Sequence, residues 1–298
     1  MINKIVTFFI FSWSALVISQ TRYIDTVFDN ITVKTYNYSI RNSDTLKLDL
    51  YEPKNDNCTN RPLFVIVHGG GFTSGERNNY SLVSLAESIT KKGYVVASID
   101  YSLLSKNKVF SCNIPLDEEM TIYAEAGEDL LSALAYLIKY KEDFLINESK
   151  IILFGLSAGA ETVLNITYNR DLLIPKNETY KNIKPAAVIS ISGACLNSDL
   201  ITNTIPGVFY HGNKDKIIPY DRDSHHFCDP TEKGFLIMDG SNRIVEKLKA
   251  LDSSFMFYTY KDRGHDIFNL PTDDFYQAFV FLKKVVFDNT FYQAQIIE

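Results

Sequence analysis

The chain has 298 residues, 30 basic against 36 acidic, a formal net charge of −6 and 46% hydrophobic side chains. That is an ordinary globular composition, long enough to bury a large core without staples. Mild acidity with no basic run excludes a protein built to grip nucleic-acid phosphates, and four cysteines without Cys-x-x-Cys spacing exclude a structural zinc site or a thioredoxin-type centre.

Residues 1–19 read as a signal peptide. Lys4 supplies the positive start, residues 5–18 are apolar-rich, and Val17-Ile18-Ser19 prepares cleavage before Gln20. The apolar stretch is short for a hydrocarbon core ~30 Å thick, so no stable membrane anchor is expected after cleavage. Cleavage also removes Trp13, the only tryptophan. The expected location is secreted or periplasmic, where disulfides are permitted. Cys58, Cys112, Cys195 and Cys228 allow two bridges in three connectivities. Cys195 with Cys228 is the favoured pair, because both follow strands expected to end on the same sheet edge. Sequons begin at Asn30, Asn37, Asn57, Asn147, Asn165 and Asn177 and mark candidate surface loops.

From residue 20 one α/β domain is expected to run to residue 298. Residues 23–38 alternate loosely and residues 46–51 cleanly before Pro53 stops them, which predicts antiparallel leading strands. Short continuous apolar runs follow at 63–67, 94–99, 151–154, 186–191, 208–210 and 255–260. Such runs suit strands buried on both faces of a mostly parallel central sheet. Helical periodicity occupies 80–92, 124–140, 243–251 and 275–286. Strand–helix alternation predicts a doubly wound sheet with helices on both faces. Three aperiodic insertions, at about 102–119, 170–184 and 219–239, are placed over the carboxyl ends of the strands, where ligands bind in this class.

The chemistry is carried by four motifs in order. Gly155-Leu156-Ser157-Ala158-Gly159 sits between the apolar run 151–154 and a helical pattern, the context of a nucleophile elbow. His68-Gly69-Gly70-Gly71 follows the run 63–67. Glycines there let backbone N–H groups approach an oxyanion, with Gly70, Gly71 and Ala158 as the expected donors. No Gly-Lys-Ser/Thr or Gly-x-Gly-x-x-Gly pattern supports a phosphate loop instead. Asp215 lies just past the run 208–210, and His265 just past the last apolar run. A serine hydroxyl needs an imidazole to take its proton, and the imidazole needs a carboxylate to fix its tautomer, so Ser157, His265 and Asp215 form the expected catalytic set. Asp221 and Asp223 are the alternatives to Asp215. His68 and His211 read as pins of their own loops, and His225 and His226 as loop residues or the lining of a cap.

With these motifs in this order, residues 40–290 resemble the α/β-hydrolase fold, in particular its secreted carboxylesterase and lipase branch with an HGGG oxyanion loop. The resemblance implies Ser157 as nucleophile, His265 as base then acid, Asp215 as orienting acid, and no metal or cofactor. Relatives often show Asp-Tyr-Arg-Leu where this chain has Asp100-Tyr101-Ser102-Leu103, which puts a structural ion pair in question. Glu161, one helical turn past Ser157, is expected to hydrogen-bond the HGGG loop or the helix start; the sharper reading is an acid that senses substrate or tunes His265.

The activity expected is hydrolysis of a small or polymeric carboxylic ester with a short acyl, acetyl or feruloyl group, since segment 102–119 is too mixed in character for a lipase lid. A serine peptidase of the same fold and a non-catalytic binding protein are the alternatives. Sequence leaves the oligomeric state open.

Overall fold

The computed structural model describes residues 20–104, 109–175 and 178–298; the leader read from residues 1–19 and the sequon at Asn177 lie outside them. Two strands come first, β1 (Ile31–Arg41) and β2 (Asp44–Pro53), joined by a turn in which Asn42 and Ser43 take positive φ. That geometry matches the twist of a tight antiparallel hairpin. Leu46, Leu48 and Leu50 of β2 are buried on one face as predicted, but Asp49 and Tyr51 on the other face are buried too, so burial stops alternating after Lys47.

The parallel strands are β3 (Arg61–Val67), β4 (Val95–Ile99), β5 (Ile146–Leu156), β6 (Ala187–Ile191), β8 (Gly207–Gly212), β11 (Phe255–Tyr260) and β12 (Gln293–Ile297). Across the sheet the order is β1-β2-β4-β3-β5-β6-β8-β11-β12, with β1 and β2 antiparallel to their neighbours. A second small antiparallel sheet is built from β7 (Ala194–Cys195), β9 (Arg222–Ser224) and β10 (Ile237–Gly240).

Every residue of β3 is buried, because helices cover both faces. Leu63, Val65 and Val67 face a core shared with α2 (Leu116–Lys139), α3 (Ala158–Tyr168) and α5 (Ser241–Ala250). Phe64 and Ile66 face the opposite core, under α1 (Tyr80–Thr90) and α6 (Thr272–Leu282). The alternation of side chains along one strand thus feeds two hydrophobic layers. Between α3 and β6 the chain also makes α4 (Arg170–Leu173).

Three expectations about the elements and the disulfide are corrected. First, α2 begins eight residues before the predicted start, so the aperiodic segment 102–119 is shorter than expected. Pro115 opens the helix and Asp117, Glu118 and Glu119 fill its first turn, which suits the helix dipole but masks the apolar period. Second, β12 extends the sheet edge where no strand was predicted; Gln293 and Gln295 break its apolar run.

Third, the disulfide joins Cys112 to Cys228, not Cys195 to Cys228. Cys195 is buried in β7 opposite Asp239 and keeps a free thiol, as does Cys58. The two insertions meet backbone to backbone, Gly234 N–H donating to Cys112 O and Leu116 N–H to Lys233 O, and this pairing brings Cys112 to Cys228.

The ion pair in question forms through another cation. Arg77 Nη1 lies 2.7 Å from Asp100 Oδ2, while Asp129 accepts from Arg41 Nε and from Ser102 N–H. Asn165 is no surface sequon: its side chain is buried, donating to Glu161 O and accepting from Leu196 N–H. Among the described residues no helix is long and apolar enough to cross a membrane.

Candidate active site

β5 ends at Leu156 and α3 starts at Ala158, so Ser157 alone makes the turn, with φ 51° and ψ −123°. A non-glycine residue held there is strained, and strain of this kind concentrates at functional sites. The flanking glycines allow the turn to sit tightly. A Cβ on Gly155 would fall 2.2 Å from Gly159 O, and one on Gly159 would fall 2.2 Å from Val67 O. Ser157 N–H donates to Ile191 O, pinning the elbow to β6.

Asp215 follows β8 and His265 follows β11, so all three residues stand at the carboxyl ends of nearby strands. Ser157 Oγ lies 2.8 Å from His265 Nε2, and His265 Nδ1 lies 2.7 Å from Asp215 Oδ2. Asp215 Oδ1 accepts from the N–H groups of Ile217 and Ile218, and His211 Nε2 lies 3.3 Å from Oδ2. Burial opposes ionisation of Asp215, but the bonds from His211 and His265 outweigh it and hold the carboxyl well below its usual range. An ionised Asp215 keeps the His265 proton on Nδ1 and leaves Nε2 free to accept from the serine.

The alternative acids are elsewhere. Asp221 is exposed and accepts from Asn242, and Asp223 accepts from the N–H of Ser224.

The HGGG loop follows β3, the neighbour of β5. Gly70 takes φ 120°, its carbonyl accepting from the N–H groups of Thr73 and Ser74. The N–H groups of Gly70 and Gly71 donate to no acceptor among the described residues. Ala158 opens α3, so its N–H has no partner in the helix ladder. His68 pins the loop as expected, Nδ1 lying 2.7 Å from Gly69 O, and His211 joins Ser241 Oγ.

Gly70, Gly71, Ser157 and His265 line one cleft of about 660 Å³, whose lining also includes Phe110 and His226, in contact with each other. That size suits a small ligand.

Beneath the cleft lies a buried polar cluster that sequence reasoning missed. Glu161 turns away from the HGGG loop: Tyr123 O–H donates to its Oε1, and His225 Nε2 lies 3.1 Å from the same oxygen. Burial alone would lower the His225 imidazole, but the charge and hydrogen bond of Glu161, with the charge of Glu119, raise it. Glu119 is buried with Oε2 unpartnered among the described residues. Burial pushes its carboxyl up to about 7, against the pull of His225 and helped by Glu161. The sequence signals for it were Glu161, one turn past Ser157, and the pair His225-His226 just before Cys228, but nothing in the sequence joined them.

The Glu119 shift has a consequence for stability. The unfolded carboxyl ionises near its ordinary pKa of 4.5 and the folded one near 7, so folding takes up a proton between them and stability falls as pH rises through that window. Glu119→Gln is expected to gain about 1 kcal/mol at pH 8, discounted for solvent screening, and nothing at pH 4. Thermal unfolding of both proteins at the two pH values checks this; an equal gain at pH 4 would contradict it.

A family model described as BD-FAE matches residues 48–200, a span that holds the HGGG loop and Ser157 but ends before Asp215 and His265. No curated protein sequence matches the chain. Among solved structures, native esterase 2 of the planctomycete Thermogutta terrifontis is similar at TM-score 0.65 and 17% identity, covering 86% of this chain and 93% of its own. Its propionate-bound form gives 0.65 and 17%, covering 86% and 95%. The form phosphorylated by paraoxon gives 0.61 and 17%, covering 85% and 92%. At this identity the likeness establishes a shared α/β-hydrolase fold.

Proposed function

We propose that this chain, which belongs to the BD-FAE family, hydrolyses carboxylic esters through a covalent acyl-serine intermediate. The observation that carries the reading is the hydrogen-bonded series Ser157–His265–Asp215 opening on a cleft beside glycine amides that are unpaired among the described residues. Ser157 Oγ attacks the ester carbonyl as His265 Nε2 takes its proton. The oxygen that becomes negative is received by the N–H groups of Gly70, Gly71 and Ala158. His265 then returns the proton to the departing alcohol oxygen. Water repeats the sequence, giving its proton to His265 and its oxygen to the acyl group, and the carboxylic acid leaves with Ser157 restored.

The size of the cleft supports the substrate class. About 660 Å³ leaves room for a short acyl group, such as acetyl, or for a compact feruloyl group on a small or polymeric alcohol. The similar esterase that binds propionate supports short acyl groups. Export is part of the reading: the leader at residues 1–19 and a disulfide between Cys112 and Cys228 both suit an oxidising compartment.

The test is turnover of p-nitrophenyl esters from acetyl to palmitoyl by residues 20–298, beside Ser157→Ala. Activity that falls steeply beyond butyryl and is lost in the variant is the expected result. No turnover across the series by a folded protein would overturn the reading in favour of a peptidase or a binding role.

A further inference from the structure

The polar side chains lining the cleft are nearly all committed to the protein. Ser157 and His265 bond each other. Thr73 and Ser74 both donate to Gly70 O, and Asn79 accepts from Ser81 N–H at the start of α1. Glu76 and Ser81 have no side-chain hydrogen bond among the described residues, but both are exposed and water serves them. His226 differs. Its imidazole is half-buried in the cleft wall, and neither ring nitrogen has a hydrogen-bond partner among the described residues.

The chain holds His226 there at a cost. His226 has φ 55° and ψ 13°, and Phe227 follows with φ 55°. Two successive non-glycine residues in the left-handed region are a strained arrangement. Four contacts maintain the arrangement. His226 N–H donates to Ile217 O, and Ile217 N–H in turn donates to Asp215 Oδ1, so His226 is referenced to the triad acid. The His225 ring, whose Nε2 lies 3.1 Å from Glu161 Oε1, packs against it at 4.4 Å. Phe110 meets its ring edge-on at 5.9 Å. Cys228, two residues on, is bonded to Cys112, two residues past Phe110.

We propose that His226 contacts the substrate and selects esters that carry an uncharged hydrogen-bonding group, a hydroxyl or a carbonyl, close to the scissile bond. The proposal rests on the ester-hydrolase reading above and adds the polarity of the substrate to it. An uncharged partner is the fitting one. Burial and the neighbouring charge of His225 bring the His226 pKa down to about 4 against the pull of Glu161 and Asp215, so at neutral pH the ring has one donor and one acceptor nitrogen and no charge. A plain alkyl chain placed beside it would strip water from both nitrogens and return nothing.

The test compares substrates in pairs, with kcat and KM measured separately. One pair is p-nitrophenyl butyrate and p-nitrophenyl 3-hydroxybutyrate, which places the hydroxyl on the acyl side. The other is ethyl butyrate and 2-hydroxyethyl butyrate, which places it on the alcohol side. In at least one pair the wild-type protein is expected to favour the hydroxylated ester about tenfold in kcat/KM, the worth of one good hydrogen bond. His226→Phe is expected to bring that ratio to about one, mainly through KM. His226→Asn, which tolerates the left-handed backbone and still hydrogen-bonds, is expected to keep part of it. A side chain that merely packs would change both members of a pair together and leave the ratio alone. Good turnover of the plain esters with no preference in either pair, or a preference that survives in His226→Phe, would overturn the proposal. Failure of the wild-type protein on all four esters would overturn the hydrolase reading and the proposal with it.

Discussion

Asp215→Asn is expected to lower kcat about 10⁴-fold while leaving the protein folded. The size follows from the hydrogen bonds the side chain must keep. Oδ1 accepts from two backbone N–H groups, Ile217 at 2.8 Å and Ile218 at 3.1 Å. An asparagine must therefore turn its carbonyl oxygen to them and its NH₂ towards His265 Nδ1. Nδ1 then becomes an acceptor, the ring proton moves to Nε2, and Nε2 faces Ser157 Oγ with nothing to accept the serine proton. The variant also loses the carboxylate that stabilises the imidazolium. Turnover of p-nitrophenyl butyrate, with thermal unfolding as the control for folding, checks this. A fall of less than tenfold in kcat would mean that the carboxylate does not orient His265.

The second large effect concerns the staple across the insertions. Cys112 and Cys228 are 116 residues apart, so their bond closes a long loop in the unfolded chain. Loop-closure entropy puts the stabilisation at about 4–5 kcal/mol. Cys112→Ser with Cys228→Ser is expected to lower the unfolding free energy in urea by about that amount, and reduction of the wild-type protein by nearly as much. Because Phe110 and His226 flank the two cysteines and form one wall of the cleft, KM is expected to rise with the loss of the bond. A midpoint in urea unchanged from wild type would contradict the assignment of Cys112 and Cys228 as partners.

What was legible in the sequence, and what was not, divides along a physical line. The buried strands were legible because a strand covered on both faces must be apolar throughout, as Leu63, Phe64, Val65, Ile66 and Val67 are. The residues now found together at the strand ends were legible because a sharp elbow, an amide-rich loop and an imidazole–carboxylate pair each demand particular residue types in a particular local context. The cleft's wall at Phe110 and His226 was not. Its geometry depends on two insertions meeting through Gly234 N–H to Cys112 O and Leu116 N–H to Lys233 O, contacts between residues more than a hundred positions apart. No local pattern encodes that meeting, so the sequence points Cys228 to Cys195 rather than to Cys112. The same holds for Glu161. Its place one turn past Ser157 was plain, but that His225 and Tyr123 would claim it depends on how segment 219–239 folds over α2.

The most direct measurement of the central claim is reaction with a fluorophosphonate, a reagent that phosphonylates a serine only when a neighbouring base activates it. The protein spanning residues 20–298 is treated, its intact mass is recorded, and the modified peptide is mapped. One phosphonyl group per chain, carried on Ser157 and absent from His265→Ala, is the result that an activated Ser157 predicts. No modification of the folded wild-type protein, or modification at another residue with Ser157 untouched, would contradict it.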